Sequence, residues 1–524
     1  MEHIEPWATP PPRMEPSVRL GPLSDAAADA TREALALVPR INARDWTVWG
    51  DDPTELADRL GWLDAPERAE GSIPELTHLA ASVRDDGITD VLLVGMGGSS
   101  LYPSVLDATS GSAPGWPRLR VLDSTDPAAV LAVERELPWT ATLVIPASKS
   151  GGTTETMSHL ARFHERLVDA HGASAGRFVL PITDPGSSLD ARAADEGFRD
   201  VVHGQPDVGG RFSALTPFGL LPAALLGMDL PRHLAAAREQ LAAARSEDEA
   251  VNEPFVLGAV MAAAARAGRD KFTVLLPDEI RSFGLWIEQL VAESTGKHGV
   301  GLLPVVGEHL GNATFGDDRL VVAIGEHDEV ATLIDLGVPV VQIPWTGIDQ
   351  LTGEVARFEV ATAVCGALLG INPFDQPNVQ SAKLAVKEVL DTGADLPPTE
   401  DATEAVDALG AGEHLVVLGY VAPDSDDEAT MHAAADRLRA RTGVPVTVGV
   451  GPRYLHSTGQ LHKGGPNNGT FLVAVGDDPE DAEVPGQDYG FSRLKRAQAA
   501  GDIVALQGAE RTVVHVTLEH LATL

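Results

Sequence analysis

The chain is short of cysteine, of cations and of long apolar runs. Its single cysteine in 524 residues, Cys365, excludes a disulfide framework and a cysteine-based metal centre and fits a reducing compartment. Lys and Arg number 39 against 76 Asp and Glu, a formal net charge of −37. Neither nucleic acid nor an anionic membrane is therefore expected as a partner. No apolar run reaches about 18 residues, so no membrane-spanning helix is expected. Residues 1–16 are rich in Pro and Glu and have no basic stretch followed by an apolar one, so no signal peptide is expected there. A cytoplasmic protein fits all of this. What remains is ordinary globular material, 44% apolar and 22% charged. An anionic ligand would need a locally positive pocket in this negative field, which draws attention to the few cations beside glycine turns.

The length suggests about three domains. Residues 1–80 read as helical pieces, including 25–37 and 53–63, with no evident chemistry. From residue 81 the pattern becomes strands alternating with helices, with strands expected at 91–94, 119–122, 143–145 and 178–182. A second series covers 236–400, and 391–407 reads as an acidic linker. A smaller α/β unit, 401–524, follows. The fold class is α/β with parallel sheets, in which ligands bind at the carboxyl ends of the strands.

Two turns fall at such ends. Ser148, Lys149, Ser150, Gly151, Gly152, Thr153 and Thr154 follow an apolar strand and open a helix. That geometry aims backbone N–H groups, hydroxyls and a helix dipole at an anion. Ser and Thr also favour helix N-caps for structural reasons alone, but four hydroxyls with two glycines in one turn favour an anion site. Gly95, Gly97 and Gly98 form only part of a dinucleotide fingerprint, because Ser100 stands at the third glycine. Asp123 sits where a nicotinamide-dependent dehydrogenase would place its ribose ligand. Ser99 and Ser100 instead make this a second hydroxyl turn. Arg211 follows Gly209 and Gly210; an isolated Arg is more often a salt-bridge partner than an oxyanion clamp. Gln289 and Glu293 share a face of an apolar helix that stops at Gly296, where desolvation is expected to raise the glutamate toward the range of a general base. Gln376 and Pro377 open a helix that carries Lys383. His456, His462 and Lys463 lie in a polar, Gly-rich run that reads as a site loop, for a proton-shuttling imidazole as readily as for a metal.

Together these motifs resemble glucose-6-phosphate isomerases, which are built from two sugar-isomerase (SIS) domains. Val94-Gly95-Met96-Gly97-Gly98-Ser99 looks like the family's first glycine motif, and residues 148–156 look like its Ser-Lys-Ser-Gly-Thr-Thr-x-Glu phosphate loop. Gly209-Gly210-Arg211-Phe212-Ser213, the segment 289–297 and Asn372-Pro373-Phe374-Asp375-Gln376-Pro377…Lys383 are similar to the arginine, glutamate and lysine motifs. The likeness spans residues 80–390; segments 456–466 and 489–506 further resemble the isomerase half of fused transaldolase–isomerases. It implies two SIS-type α/β sandwiches, 81–235 and 236–400, plus the C-terminal unit. It also implies a sugar-phosphate substrate, a homodimer, and no metal or cofactor. Ser148, Ser150 and Thr153 would hold the phosphate, with Ser99 and the Gly98 backbone beside them, and Lys149, Gln289 and Gln376 would also contact the substrate. Glu293 would move a proton through a cis-enediol, Arg211 would stabilise the enediolate, and Lys383 with a histidine would serve ring opening. Two departures stand out. Gly152 occupies the place of the family's first threonine. The expected histidine segment between the glutamate and lysine motifs holds only His309, while His-Ser-Thr-Gly-Gln recurs at 456–460, so His456 is the expected ring-opening histidine. A non-catalytic sugar-phosphate sensor, or an isomerase for a related pair such as mannose 6-phosphate, would use the same turns.

Overall fold

The computed structural model describes residues 17–308, 315–393 and 395–524, the side chains of 379–384 and 391 excepted. Its first strand, β1 (Ser17–Arg19), waits for a partner far along the chain. Strands β2 (Asp90–Gly95), β3 (Arg118–Leu122), β4 (Thr142–Ala147), β5 (Ile182–Thr183) and β6 (Val202–His203) form a parallel sheet in the order β3-β2-β4-β5-β6. β2 and β4 are buried along their whole length, which is why they read as unbroken apolar runs rather than alternating ones. Strands β7 (Lys271–Leu275), β8 (Leu303–Val306), β9 (Arg319–Ile324) and β10 (Val340–Ile343) make the second sheet, in the order β1-β10-β9-β7-β8. β1 pairs antiparallel at its edge, Val18 opposite Val341. Strands β11 (His414–Tyr420), β12 (Val446–Val450), β13 (Gly469–Val475) and β14 (Thr512–Val516) form a third, parallel sheet, β12-β11-β13-β14. The α/β architecture of three parallel-stranded units is thus the one expected.

The N-terminal stretch is helical at 25–37 as expected, where Ser24–Leu35 forms a helix, but departs from expectation elsewhere. It contributes β1 to the second sheet and lays the helix Ser24–Leu35 on the helix Glu253–Arg266, while the helix Ile73–Asp85 packs on Pro217–Leu225 of the first unit. Residues 53–63 form turns that end in the 3-10 segment Gly61–Asp64, not a helix. Glu55, at φ 51°, is left-handed and cannot continue a right-handed helix. The strand expected at 178–182 shrinks to β5. Pro181 has no N–H for the ladder, and the 3-10 segment Gly172–Phe178 consumes the approach. Cys365 is fully buried on the apolar helix Leu351–Leu369, and burial pushes its thiol up to about 12.

Candidate active site

The hydroxyl turn begins where β4 leaves the sheet. Ser148 donates its backbone N–H to Ile182 at 3.0 Å, and Thr183 donates its hydroxyl to the Ser148 carbonyl at 2.7 Å, so the neighbouring strand end braces the turn. The Ser148 and Thr153 hydroxyls meet at 2.9 Å across the loop. Thr153 is the N-cap residue of the helix Thr154–His171, yet its side chain makes no cap bond. The hydroxyls are therefore gathered over the helix start instead of being spent on capping it. Ser150 is exposed and, among the described residues, its hydroxyl accepts the Gly152 N–H at 3.3 Å. Lys149 lies before the helix and is committed elsewhere. Its ammonium donates to Asp184 at 2.8 Å and to the Gln205 carbonyl at 3.0 Å. Burial lowers its pKa, and Asp184 works against that fall.

The glycine turn is a junction. A Cβ on Gly98 would stand 1.9 Å from the Gly210 carbonyl oxygen, and one on Gly97, at φ 55°, would stand 2.7 Å from both Gln289 Nε2 and the His456 carbonyl. Only glycine admits this approach. What presses on the turn is protein: the arginine turn, the glutamate helix and the histidine loop. Ser99 is buried there beside them.

Glu293 sits in the last turn of the helix Phe283–Thr295. Its carboxylate accepts from Arg211 Nη1 at 3.1 Å and from Gln289 Nε2 at 3.1 Å, with the Glu293 and Arg211 side chains 8% and 3% exposed. Arg211 also donates to Ser294 Oγ at 2.8 Å, to the Pro373 and Asp375 carbonyls at 2.7 Å each, and to Gln376 Oε1 at 3.3 Å. Such a guanidinium has its plane fixed before any substrate arrives. It ties the glutamate and lysine motifs together, so it is no surface salt bridge. Lys383 lies on the helix Pro377–Thr392 that Gln376 and Pro377 open, but its side chain is outside the described residues, as is His309.

The C-terminal unit reaches into this place. His456 Nε2 lies 2.9 Å from Glu155 Oε1, and its carbonyl accepts from Gln289 at 2.8 Å. Glu155 accepts only, so Nε2 carries the hydrogen and Nδ1 is the nitrogen that remains for a ligand. The other polar members of that sequence run do something different. His462 is buried with its pKa driven well below the usual value by burial, and Lys463 pairs with Asp502 at 2.6 Å in the interior. They hold the loop; they do not line the site. Asp123 is taken as well, held by both arms of Arg453 at 2.8 Å each. That carboxylate latches the C-terminal unit to the first sheet, which leaves a dehydrogenase reading without its ribose ligand. Reasoning from sequence overlooked Glu155 as a site residue, although it closes the phosphate-loop motif. Among the described residues no cluster of three or more His, Cys, Asp or Glu is arranged to hold a metal, and no helix is long and apolar enough to cross a membrane.

Two SIS-type α/β units with one polar site at their junction, joined there by a third unit, define the class: a two-domain sugar-isomerase fold. The phosphoglucose isomerase family model matches residues 81–319. A glucose-6-phosphate isomerase of Rubrobacter xylanophilus is 30% identical over 415 residues, 67% of this chain and 92% of that protein. One from Gloeothece citriformis is 29% identical over 463 residues, 74% of this chain and 86% of its own length. The chain belongs to the glucose-6-phosphate isomerase family. Among solved structures, a hypothetical protein from Thermus thermophilus shares the fold at TM-score 0.61 and 24% identity, covering 72% of this chain and 99% of that one. A glucose-6-phosphate isomerase from Chlamydia trachomatis does so at TM-score 0.61 and 18% identity, covering 73% and 88%.

Proposed function

We propose that this chain interconverts glucose 6-phosphate and fructose 6-phosphate. The observation that carries the proposal is the unbroken hydrogen-bonded path from Glu155 through His456 and Gln289 to Glu293, Arg211 and Gln376, which places a proton donor and a carboxylate base beside a hydroxyl-rich helix start. In this reading Ser148, Ser150, Thr153 and the helix N-terminus hold the 6-phosphate, with Gly98 and Ser99 alongside. Ring opening breaks the C1–O5 bond: Nδ1 of His456, whose Nε2–H stays on Glu155, takes the proton that the C1 hydroxyl gives up and passes it to O5, with Lys383 serving the same step. Glu293 then takes the C2 proton to leave an enediolate, a proton shifts from O2 to O1, and the same carboxyl returns its proton to C1. Arg211 offsets the negative charge that develops on the enediolate oxygens. Gln289 keeps the carboxylate pointed at them.

A sensor would need the phosphate turns but has no use for a paired base and guanidinium, and nothing favours that alternative. The reaction fits cytoplasmic glycolysis and gluconeogenesis. As to assembly, His456 meets Glu155 of the same chain, so a homodimer would bring together two sites that each already have this histidine. The test supplies fructose 6-phosphate and reads glucose 6-phosphate with a coupled dehydrogenase, with and without a metal chelator. Turnover that is indifferent to chelator is expected. Folded protein that shows no turnover would sink the proposal.

A further inference from the structure

The segment 489–506 packs against the core of the first unit through Phe491 and Leu494. It forms most of the helix Phe491–Gly508, and one side chain on it, Gln498, points into the interface with the first unit and is 2% exposed. Its amide is held at both ends. Nε2 donates to Glu155 Oε1 at 2.8 Å, while Oε1 accepts from the Thr125 hydroxyl at 2.6 Å. The Gln498 carbonyl accepts from Tyr420 at 3.2 Å, which anchors the helix at that point.

Glu155 Oε1 therefore takes two N–H donors, Gln498 and His456, from the same C-terminal unit. A carboxylate held by two donors in the first turn of a helix has a set orientation, and it in turn sets the plane and tautomer of the imidazole. Thr125 decides which end of the amide faces Glu155. Without its hydroxyl, the amide could present oxygen to the carboxylate and repel it. Latching of the two units does not depend on this amide, because Asp123–Arg453, at 2.8 Å, and Asp126–Lys495, also at 2.8 Å, lie on either side of Thr125.

We propose that Gln498 is a positioning residue for ring opening: through Glu155 it holds His456 where it can protonate the ring oxygen, and Thr125 keeps Gln498 in the donating orientation. The inference rests on the isomerase reading above. It predicts a defect in ring opening alone, since Glu293 and Arg211 receive nothing from Gln498.

The test compares two substrates. One is glucose 6-phosphate, which must be opened. The other is a 4,5-dideoxyhexose 6-phosphate, which keeps the six-carbon span from C1 to the phosphate but has no hydroxyl able to close a five- or six-membered ring. Gln498→Met keeps the volume and removes the donor. It is expected to lower kcat on glucose 6-phosphate about 10²-fold, the cost of misplacing a reacting group by about 1 Å. KM should stay within about twofold, and proton exchange at C2 of the open-chain analogue should be preserved. His456→Asn should show the same split, and Thr125→Val a weaker one. Equal loss on both substrates, or no loss on either, overturns the assignment. Wild-type protein that turns over neither substrate overturns the isomerase reading itself, and the role of Gln498 with it.

Discussion

Replacing Glu293 by glutamine isolates proton transfer from everything else the residue does. The carboxylate accepts on both oxygens, from Arg211 and from Gln289, each at 3.1 Å. A glutamine has one acceptor, so its amide nitrogen must face one of those donors. With the oxygen kept toward Arg211, the nitrogen meets Gln289 Nε2. Gln289 cannot turn its amide over without giving up the 2.8 Å bond to the His456 carbonyl. One buried hydrogen bond is lost, a cost of about 1–2 kcal/mol. Arg211 keeps Ser294, Gln376 and the carbonyls of Pro373 and Asp375, so no guanidinium is stranded. Loss of the base costs more: general acid–base groups contribute about 10²–10⁴ in rate, or about 3–5 kcal/mol of barrier. The coupled assay should show kcat down by that factor, while a thermal shift on adding fructose 6-phosphate shows that substrate still binds. Activity within tenfold of wild type would refute the assignment, as would an activity loss that merely tracked unfolding.

Three further outcomes follow from the geometry. His456→Asn should lower turnover about 10²–10⁴-fold, whereas His309→Asn should leave it near wild type; the reverse pattern would move the ring-opening role to His309. Glu308 is fully buried and pairs with Arg319 at 2.6 Å and with Arg439 of the C-terminal unit at 3.3 Å. Glu308→Gln should lower the urea midpoint by the equivalent of about 3–5 kcal/mol, because it strands buried cations, and an unchanged midpoint would remove this clamp from the account. Lys297, buried beside Asp375 at 3.0 Å, is pushed down to about 7, first by burial and then by the Arg211 charge. An unfolded lysine keeps its proton to about 10.4, so the unfolded chain binds more protons above pH 7 and this group's contribution to stability rises with pH from there. Urea midpoints from pH 7 to 9 should show wild type gaining on Lys297→Met, and parallel curves would contradict the shift.

The lesson from sequence is uneven along the chain. The parallel strands were legible because burial on both faces leaves apolar runs such as Val91–Leu93 and Leu143–Ile145 that need no partner to be recognised. The N-terminal stretch was legible in part: the helix expected at 25–37 forms as Ser24–Leu35, but β1 is only three residues long and Glu55 breaks the helix expected at 53–63 by adopting a left-handed conformation. Lys149 and His462 show the same limit inside the motifs. Both looked like ligand groups, and both turned out to be committed, one to Asp184 and the other to the interior.

Residue types at fixed spacing determined the fold class, the hydroxyl turn and the pairing of Gln289 with Glu293, because each depends on contacts within a few residues along one strand or helix. Tertiary structure alone decided that Asp123 is a latch and that Arg211 joins two motifs. It alone brought Glu155 onto His456 from 301 positions away. Contacts of that range obey no sequence period. They exist only once the three units are packed together, and it is that packing that turns a helix start able to bind an anion into a site with an acid, a base and a fixed cation.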